Sequence, residues 1–321
     1  MKKRSKSVAV IGQGFVGGSL ATVFSEKGYK VFAYDISGKL APGAEWPTTN
    51  KMGTPLLPSS QGEFVKACEK QEDFTGIYFV CLPTPMMADG KADVSIVSSA
   101  LYSLDKYPGS KERIAVVKST IPPGTTASWN NNLKNLKVIF SPEFLTEANA
   151  LNDMRNQDRI ILGGPRPHIN RVRDVFRRAF PKVRIIKTGS TTAEMVKYVT
   201  NVHLAVKVAL ANEFYQICEA LDTEGHNIDY DKVIEYATFD QRLGKTHWQV
   251  PGPMPADDTG DPAFGFGGSC FVKDINALIY QAKSLGIDPR VMTGAWTKNL
   301  EVRPQRDWEK LKGRAVSEEQ K

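Results

Sequence analysis

The chemistry of this chain concentrates in one stretch, Gly265-Phe266-Gly267-Gly268-Ser269-Cys270-Phe271-Val272-Lys273-Asp274. Glycines let a backbone approach a ligand closely and take positive φ. A helix starting near Ser269 would set Cys270 at its N-terminus, where free N–H groups and the dipole lower a thiol pKa. Cys270 and Asp274, at i and i+4, would then share one helix face. That pattern describes an activated nucleophile with an acid/base neighbour. The same residues also suit a Gly-rich turn before a buried structural cysteine. A second pair stands at Lys197 and Asn201, one turn apart in Thr191 to Leu221, a stretch without Pro or Gly. A lysine inside an apolar helix is costly unless paired or functional, although its stem can snorkel to the edge.

A third constellation lies near the N-terminus. Ser7 to Ile11 is a β-branched run, and Gly12-Gln13-Gly14-Phe15-Val16-Gly17 follows at once. Gly18 to Lys27 reads as a helix ended by Gly28, and Tyr29 to Tyr34 as a second strand leading to Asp35. Glycines in this strand–turn–helix context permit a tight turn and close pyrophosphate approach, with the helix N-terminus holding the phosphates. An acidic residue about twenty positions on binds the adenosine ribose hydroxyls and repels a 2′-phosphate, so Asp35 favours NAD over NADP.

Positioning these groups requires a regular frame. Residues 36–60 read as a loop, Gly62 to Gln71 as a short helix, Gly76 to Leu82 as a strand and Val94 to Lys106 as a helix. Further strands are expected at Arg113 to Val117, Leu136 to Phe140, Arg159 to Leu162 and Val183 to Ile186, with a basic helix from His168 to Phe180. Alternating strands and helices predict an α/β fold with a mostly parallel, doubly wound sheet. The polar motifs CLPTP (81–85), KSTIPPGT (118–125) and SPEFLTE (141–147) follow strands, where open α/β sheets bind ligands, although Pro, Gly and Thr also simply make turns. The long helix would run about 45 Å. Being apolar all round, it should be buried between domains or subunits, which favours a dimer. Tyr230 to Ala237, Lys273 to Leu285 and Pro289 to Leu300 read as helices, Phe239 to Pro255 as an irregular loop, and Arg303 to Lys321 as a charged tail.

Composition narrows the function classes. At 321 residues, with 41% hydrophobic and 24% charged residues, the chain suits a globular protein of two domains. No run is long and apolar enough to span a membrane. The basic start Met1 to Lys6 resembles a signal-peptide n-region, but the glycines of the nucleotide motif break the apolar stretch behind it. Cys68, Cys81, Cys218 and Cys270 are widely spaced and lack a histidine cluster, which argues against disulfides and a metal site and for a reducing, cytoplasmic setting. The net charge of +7 suits an anionic ligand. Nucleic acid is disfavoured, since the cations are scattered rather than gathered with aromatics.

In this order the motifs GQGFVG with Asp35, CLPTP, KSTIPPGT, SPEFLTEANALND (141–153), EMVKYVTNVHLAVKVALANE (194–213), RLGKTHWQVPGP (242–253) and GFGGSCFVKD (265–274) resemble the UDP-glucose/GDP-mannose dehydrogenase family from about Val8 to Leu300. The resemblance implies a Rossmann-type NAD domain over 1–188, an all-helical central dimerisation domain with one long helix over 189–302, and in 303–321 the start of a third domain that this chain would lack. It implies two NAD-dependent oxidations of a nucleotide sugar at C6, UDP-glucose to UDP-glucuronate foremost, through a thiohemiacetal and thioester on Cys270. Lys197 would act at the sugar oxygen with Asn201, Asp274 would assist thiol and water, and Thr120 and Glu143 would position or activate water. Gly12, Gly14, Phe15, Val16, Gly17, Asp35, Pro83, Thr84, Ser119, Thr120, Glu147 and Lys273 would meet the cofactor. Phe144, Leu145, Glu147, Lys197, Asn201, Phe266, Gly267 and Cys270 would meet the sugar nucleotide, and Arg242 would reach it from a partner subunit.

Departures from the family pattern are visible. Val272 replaces a usual proline, residues 36–75 are shortened, and Lys39 falls one position off the usual basic residue and is left unassigned. Two other readings are open: an NAD- or sugar-nucleotide-binding remnant that needs a separate C-terminal domain, and a 3-hydroxyacid dehydrogenase. The latter would have no use for the thiol.

Overall fold

The computed structural model describes residues 6–50, 52–107, 112–255 and 262–318. These form two compact units, one of residues 1–84 and 94–197 and one of 85–93 and 198–321. The division falls inside the long helix, at Lys197/Tyr198.

In the first unit the strands are β1 (Ser7–Ile11), β2 (Lys30–Tyr34), β3 (Ala44–Glu45), β4 (Thr48–Thr49), β5 (Pro55–Leu56), β6 (Phe74–Val80), β7 (Arg113–Val117), β8 (Leu136–Phe140), β9 (Arg159–Gly163) and β10 (Arg184–Thr188). The sheet order is β10-β9-β8-β7-β6-β1-β2-β3, with β4 and β5 a separate hairpin. Every pairing in the sheet is parallel except that of β8 with β9. The chain order reverses between β1 and β6, the place where a doubly wound sheet opens a ligand crevice.

The helices of this unit are α1 (Phe15–Glu26), α2 (Gln61–Glu69), α3 (Ser95–Asp105), α4 (Thr125–Asn132), α5 (Ala150–Arg155) and α6 (His168–Ala179). Strand residues alternate between two apolar layers: Val8, Val10, Ile77, Phe79, Ile114 and Val116 face one, and Ala9, Ile11, Tyr78, Val80, Ala115 and Val117 the other. Burial on both faces explains why these strands read as continuous apolar runs. Helix α1 begins at Phe15, ahead of the expected Gly18, because Gly17 and Gly18 belong to the helix in spite of their low propensity. Helices α4 and α5, and strands β3 to β5 within the expected loop 36–60, carry too few apolar residues to show a period.

The second unit is helical. Helix α7 (Ser190–Thr223) runs 34 residues and enters this unit at Tyr198; α8 (Tyr230–Ala237), α9 (Cys270–Ser284) and α10 (Arg290–Val302) follow. A short ladder, β11 (Gly252–Pro255) with β12 (Pro262–Ala263), interrupts the all-helical expectation. The supposed irregular loop 239–255 also contains a 3-10 turn at Gln241–Leu243, and residues 256–261 lie outside the described residues. The expected tail beyond Arg303 is folded: Arg303, Trp308 and Ala315 are buried, and Met86 pairs with Val316. Among the described residues no helix is long and apolar enough to cross a membrane.

Candidate active site

Within the first unit, the three glycines after β1 have different reasons to be there. Gly12 has φ +88°, and a Cβ there would lie 2.3 Å from the Cys81 carbonyl oxygen. A Cβ on Gly17 would lie 1.9 Å from the Gly12 carbonyl oxygen. Gly12 is demanded by its left-handed backbone and the close approach of the chain after β6, and Gly17 by the packing of α1 against the turn. Gly14 caps α1 with φ −72°, a conformation open to any residue, and a Cβ there would meet nothing within 4 Å. Its surroundings are open, and Phe15 and Val16 beside it are exposed and half-buried. That opening, at a helix N-terminus, fits a pyrophosphate.

Asp35 ends β2 within reach of the same turn. Its carboxylate accepts the Gln13 N–H at 2.7 Å and the Ser37 N–H at 2.8 Å. Burial pushes its pKa up, but the Ser37 hydroxyl, those two amides and the charge of Lys39 outweigh burial and hold it below the usual carboxylate value. Asp35 is therefore an ionised acceptor, as a ribose diol requires. Lys39, unassigned from sequence because of its register, acts on this carboxylate.

Two further strand-end segments are stitched together. The Ser119 hydroxyl donates to the Leu82 carbonyl at 2.5 Å, while its oxygen accepts the Leu82 N–H at 3.1 Å. The Thr84 hydroxyl donates to the Thr120 carbonyl at 2.7 Å. Thr84 and Ser119 thus hold the loops, leaving Pro83 exposed and Thr120 half-buried.

Glu143 is a hub. Its Oε1 accepts the Phe144 N–H at 2.9 Å, its Oε2 lies 3.1 Å from the Lys118 ammonium, and its carbonyl accepts from the Lys197 ammonium. Lys118 also reaches Ser141 Oγ at 3.2 Å and the Pro142 carbonyl at 3.3 Å. The sequence offered Lys118 as part of KSTIPPGT without a role; a lysine closing an apolar strand was the available signal. Phe144 carries Lys197 at 5.4 Å and the Arg159 guanidinium at 4.3 Å from its ring. Leu145 packs against the core, and Glu147 is exposed. One turn before Lys197, the fully buried Glu194 accepts N–H bonds from Gly124 at 2.6 Å and Thr126 at 2.8 Å. It caps α4 and holds the KSTIPPGT loop.

Within the second unit, Cys270 is the first residue of α9 and is exposed. The helix begins there, three residues before the expected Lys273. Asp274, one turn on, is 1% exposed; its Oδ2 accepts from Asn201 Nδ2 at 2.6 Å and its Oδ1 meets the Lys273 ammonium. Asn201, Asp274 and Lys273 are thus brought together below the thiol-bearing turn. Lys273, expected at the cofactor, is paired with this carboxylate.

Phe266 was expected against the sugar nucleotide. Its ring lies in the core beside Phe271 and Trp296, and Asn299 takes its N–H and carbonyl. It anchors the loop. Arg242 sits on an exposed 3-10 turn paired with Asp240. Lys207 fastens that turn by donating to the Leu243 and Gly244 carbonyls, at 2.9 and 3.3 Å, while lying over Trp248.

Residues 6–180 match the NAD binding domain of the UDP-glucose/GDP-mannose dehydrogenase family, and residues 191–301 match its central domain. The chain belongs to this family. A UDP-glucose 6-dehydrogenase of Haloferax volcanii is 29% identical over 331 residues, covering 96% of this chain and 72% of its own. One from Bacillus subtilis is 29% identical over 301 residues, covering 88% and 60%. The structure of a UDP-glucose dehydrogenase from Pyrobaculum islandicum is 26% identical with a TM-score of 0.72, covering 94% of this chain and 69% of its own. The chain therefore spans 60–72% of the length of these relatives. The family consists of NAD-dependent oxidoreductases, and NAD is the cofactor for which the opening at Gly14 and the carboxylate of Asp35 are suited.

Proposed function

We propose that the chain is a nucleotide-sugar 6-dehydrogenase that oxidises a primary alcohol to a carboxylate in two steps, with UDP-glucose as substrate and UDP-glucuronate as product. NAD supplies the hydride acceptor for both steps. Lys197, whose Nζ is steered by the Glu143 carbonyl, takes the alcohol proton as a neutral amine while the C6 hydride leaves, and as the ammonium so formed then stabilises the oxyanion with Asn201. The Cys270 thiolate adds to the aldehyde carbon and forms a C–S bond, giving a thiohemiacetal. Loss of a second hydride and the hydroxyl proton leaves a thioester. Water, positioned by Thr120 and Glu143, breaks the C–S bond, and Asp274 handles the proton between water and thiol.

The observation that carries this reading is the exposed thiol of Cys270 at the first turn of α9, with the buried Asp274–Asn201 pair one turn below. A 3-hydroxyacid dehydrogenase, which stops at one oxidation, has no use for that thiol. Glu147 and Leu145 complete the sugar-nucleotide side in this reading, and Gly267 supplies backbone.

An apolar stripe of α7 at Leu210, Phe214 and Ile217, 40–51% exposed, supports a homodimer through this helix. In that assembly Arg242, on its exposed turn, reaches the partner's substrate. The four cysteines are free thiols, which suits a reducing, cytoplasmic compartment.

Purified protein given UDP-glucose and NAD should yield about two NADH per sugar consumed, and Cys270→Ser should stall after the first oxidation with a bound adduct. An unaffected steady-state rate in that variant would contradict the two-step scheme.

A further inference from the structure

Four of the five residues before Ser269 have backbone groups held by buried or half-buried side chains from elsewhere in the second unit. Asn212 Oδ1, on α7, accepts the Gly265 N–H at 3.0 Å. Asn299, on α10, accepts the Phe266 N–H at 2.7 Å and donates to its carbonyl at 2.9 Å. Arg303 donates to the Phe264 carbonyl at 3.0 Å, Asp307 Oδ2 accepts the Gly268 N–H at 3.1 Å, and Arg303 Nε meets Asp307 Oδ1 at 2.6 Å. The glycines answer this clamp: a Cβ on Gly265 would lie 2.4 Å from Asn299 Oδ1, and one on Gly267 2.5 Å from both the Arg303 guanidinium and Asp307.

Burying a charged pair is costly unless its geometry is good. Arg303 and Asp307 have side chains 2% and 17% exposed and spend that pairing on one loop. Trp308, buried against Trp296, holds the turn that carries Asp307. These residues stand beyond position 301, where the match to the family's central domain ends.

We infer that Arg303 and Asp307 are positioning residues for the nucleophile: they set the left-handed turn at Gly268, φ +66°, from which Ser269 and Cys270 enter the first turn of α9. The stretch after α10 is then a working part of the thiol site. This rests on the reading of Cys270 as nucleophile, and its test is independent of turnover. Asp307→Asn keeps an acceptor for Gly268 but loses the charge pair; Arg303→Lys keeps a charge but loses the fork that reaches both Phe264 and Asp307.

In the full chain, the iodoacetamide alkylation rate of Cys270, followed by mass spectrometry across pH, should fall by about threefold or more in either variant, with a pH profile that differs from the parent's. Cys68 and Cys218, both buried, serve as internal references, and an Asp288→Asn control, in an exposed pair with Arg290, should leave the Cys270 rate unchanged. Circular dichroism selects the folded variants, and one of the two suffices. A folded variant with the parent's Cys270 rate and pH profile overturns the inference. An altered thiol alongside no NADH from any nucleotide sugar sustains the positioning role and refutes the dehydrogenase reading.

Discussion

The three glycines of the nucleotide turn offer a sharp test, because a single methyl group should do different things at each. At Gly12 an alanine must adopt a left-handed backbone, costing about 1–2 kcal/mol, and its methyl would press on a backbone carbonyl at 2.3 Å. Overpacking of that kind adds about 1–3 kcal/mol. Gly17→Ala recovers helix propensity of about 1 kcal/mol, yet its methyl would sit 1.9 Å from the Gly12 oxygen, so the helix must shift. Gly14→Ala meets nothing within 4 Å and should change stability by less than about 0.5 kcal/mol.

With NAD present the order changes. At a concentration 100-fold above Kd, ligand stabilises the parent by about 2.7 kcal/mol, and a tenfold weaker complex leaves about 1.4 kcal/mol. Thermal melts of parent and variants with and without NAD, backed by fluorescence titration, read both quantities. Gly12→Ala should melt several degrees low with or without NAD. Gly14→Ala should melt like the parent alone and gain about half as much from NAD. A Gly14→Ala protein that melts as low as Gly12→Ala, or gains as much from NAD as the parent, would refute the assignment of that opening to the pyrophosphate.

Other expectations follow from buried charge. Lys118→Met leaves the Glu143 carboxylate buried without its cation and should cost about 3–5 kcal/mol in urea unfolding; a loss below about 1 kcal/mol would mean that Glu143 is neutral or solvated. Glu194→Gln cannot accept from both Gly124 and Thr126 and should cost about 1–3 kcal/mol. Burial raises the folded pKa of Glu194 in spite of its bonds to Thr126 and Gly124. Its proton-linked contribution is then complete below the unfolded pKa and lost as pH rises through the folded value. The stability gap between parent and Glu194→Gln should narrow as pH rises from about 4 to 7, and a widening gap would mean that the two amide bonds outweigh burial. Ile217→Lys should convert a dimer into a monomer in light scattering, and an unchanged mass would place any interface elsewhere.

Much of the candidate site could be proposed before the fold. Cys270, Asp274, Lys197 and Asn201 declare themselves by residue type and i, i+4 spacing, because a helix turns that spacing into a shared face. Strands β1, β7 and β8 declare themselves because both their faces are buried and their apolar runs are unbroken. Asp35 is legible because the motif and the strand that carry it are local in sequence.

What escaped notice was held by contacts distant in the chain. Helix α4 has little apolar period and depends on Glu194, 68 positions from Thr126. Lys118 acquires its meaning from Glu143 on the neighbouring strand end, and the stretch after Arg303, polar and charged to the eye, is structural because its arginine finds Asp307 and Phe264 inside. Residue type and local periodicity establish which groups can react and which elements carry them. Only tertiary packing decides which charges pay for their burial by pairing, and therefore which polar residues act as supports for the thiol and the lysine.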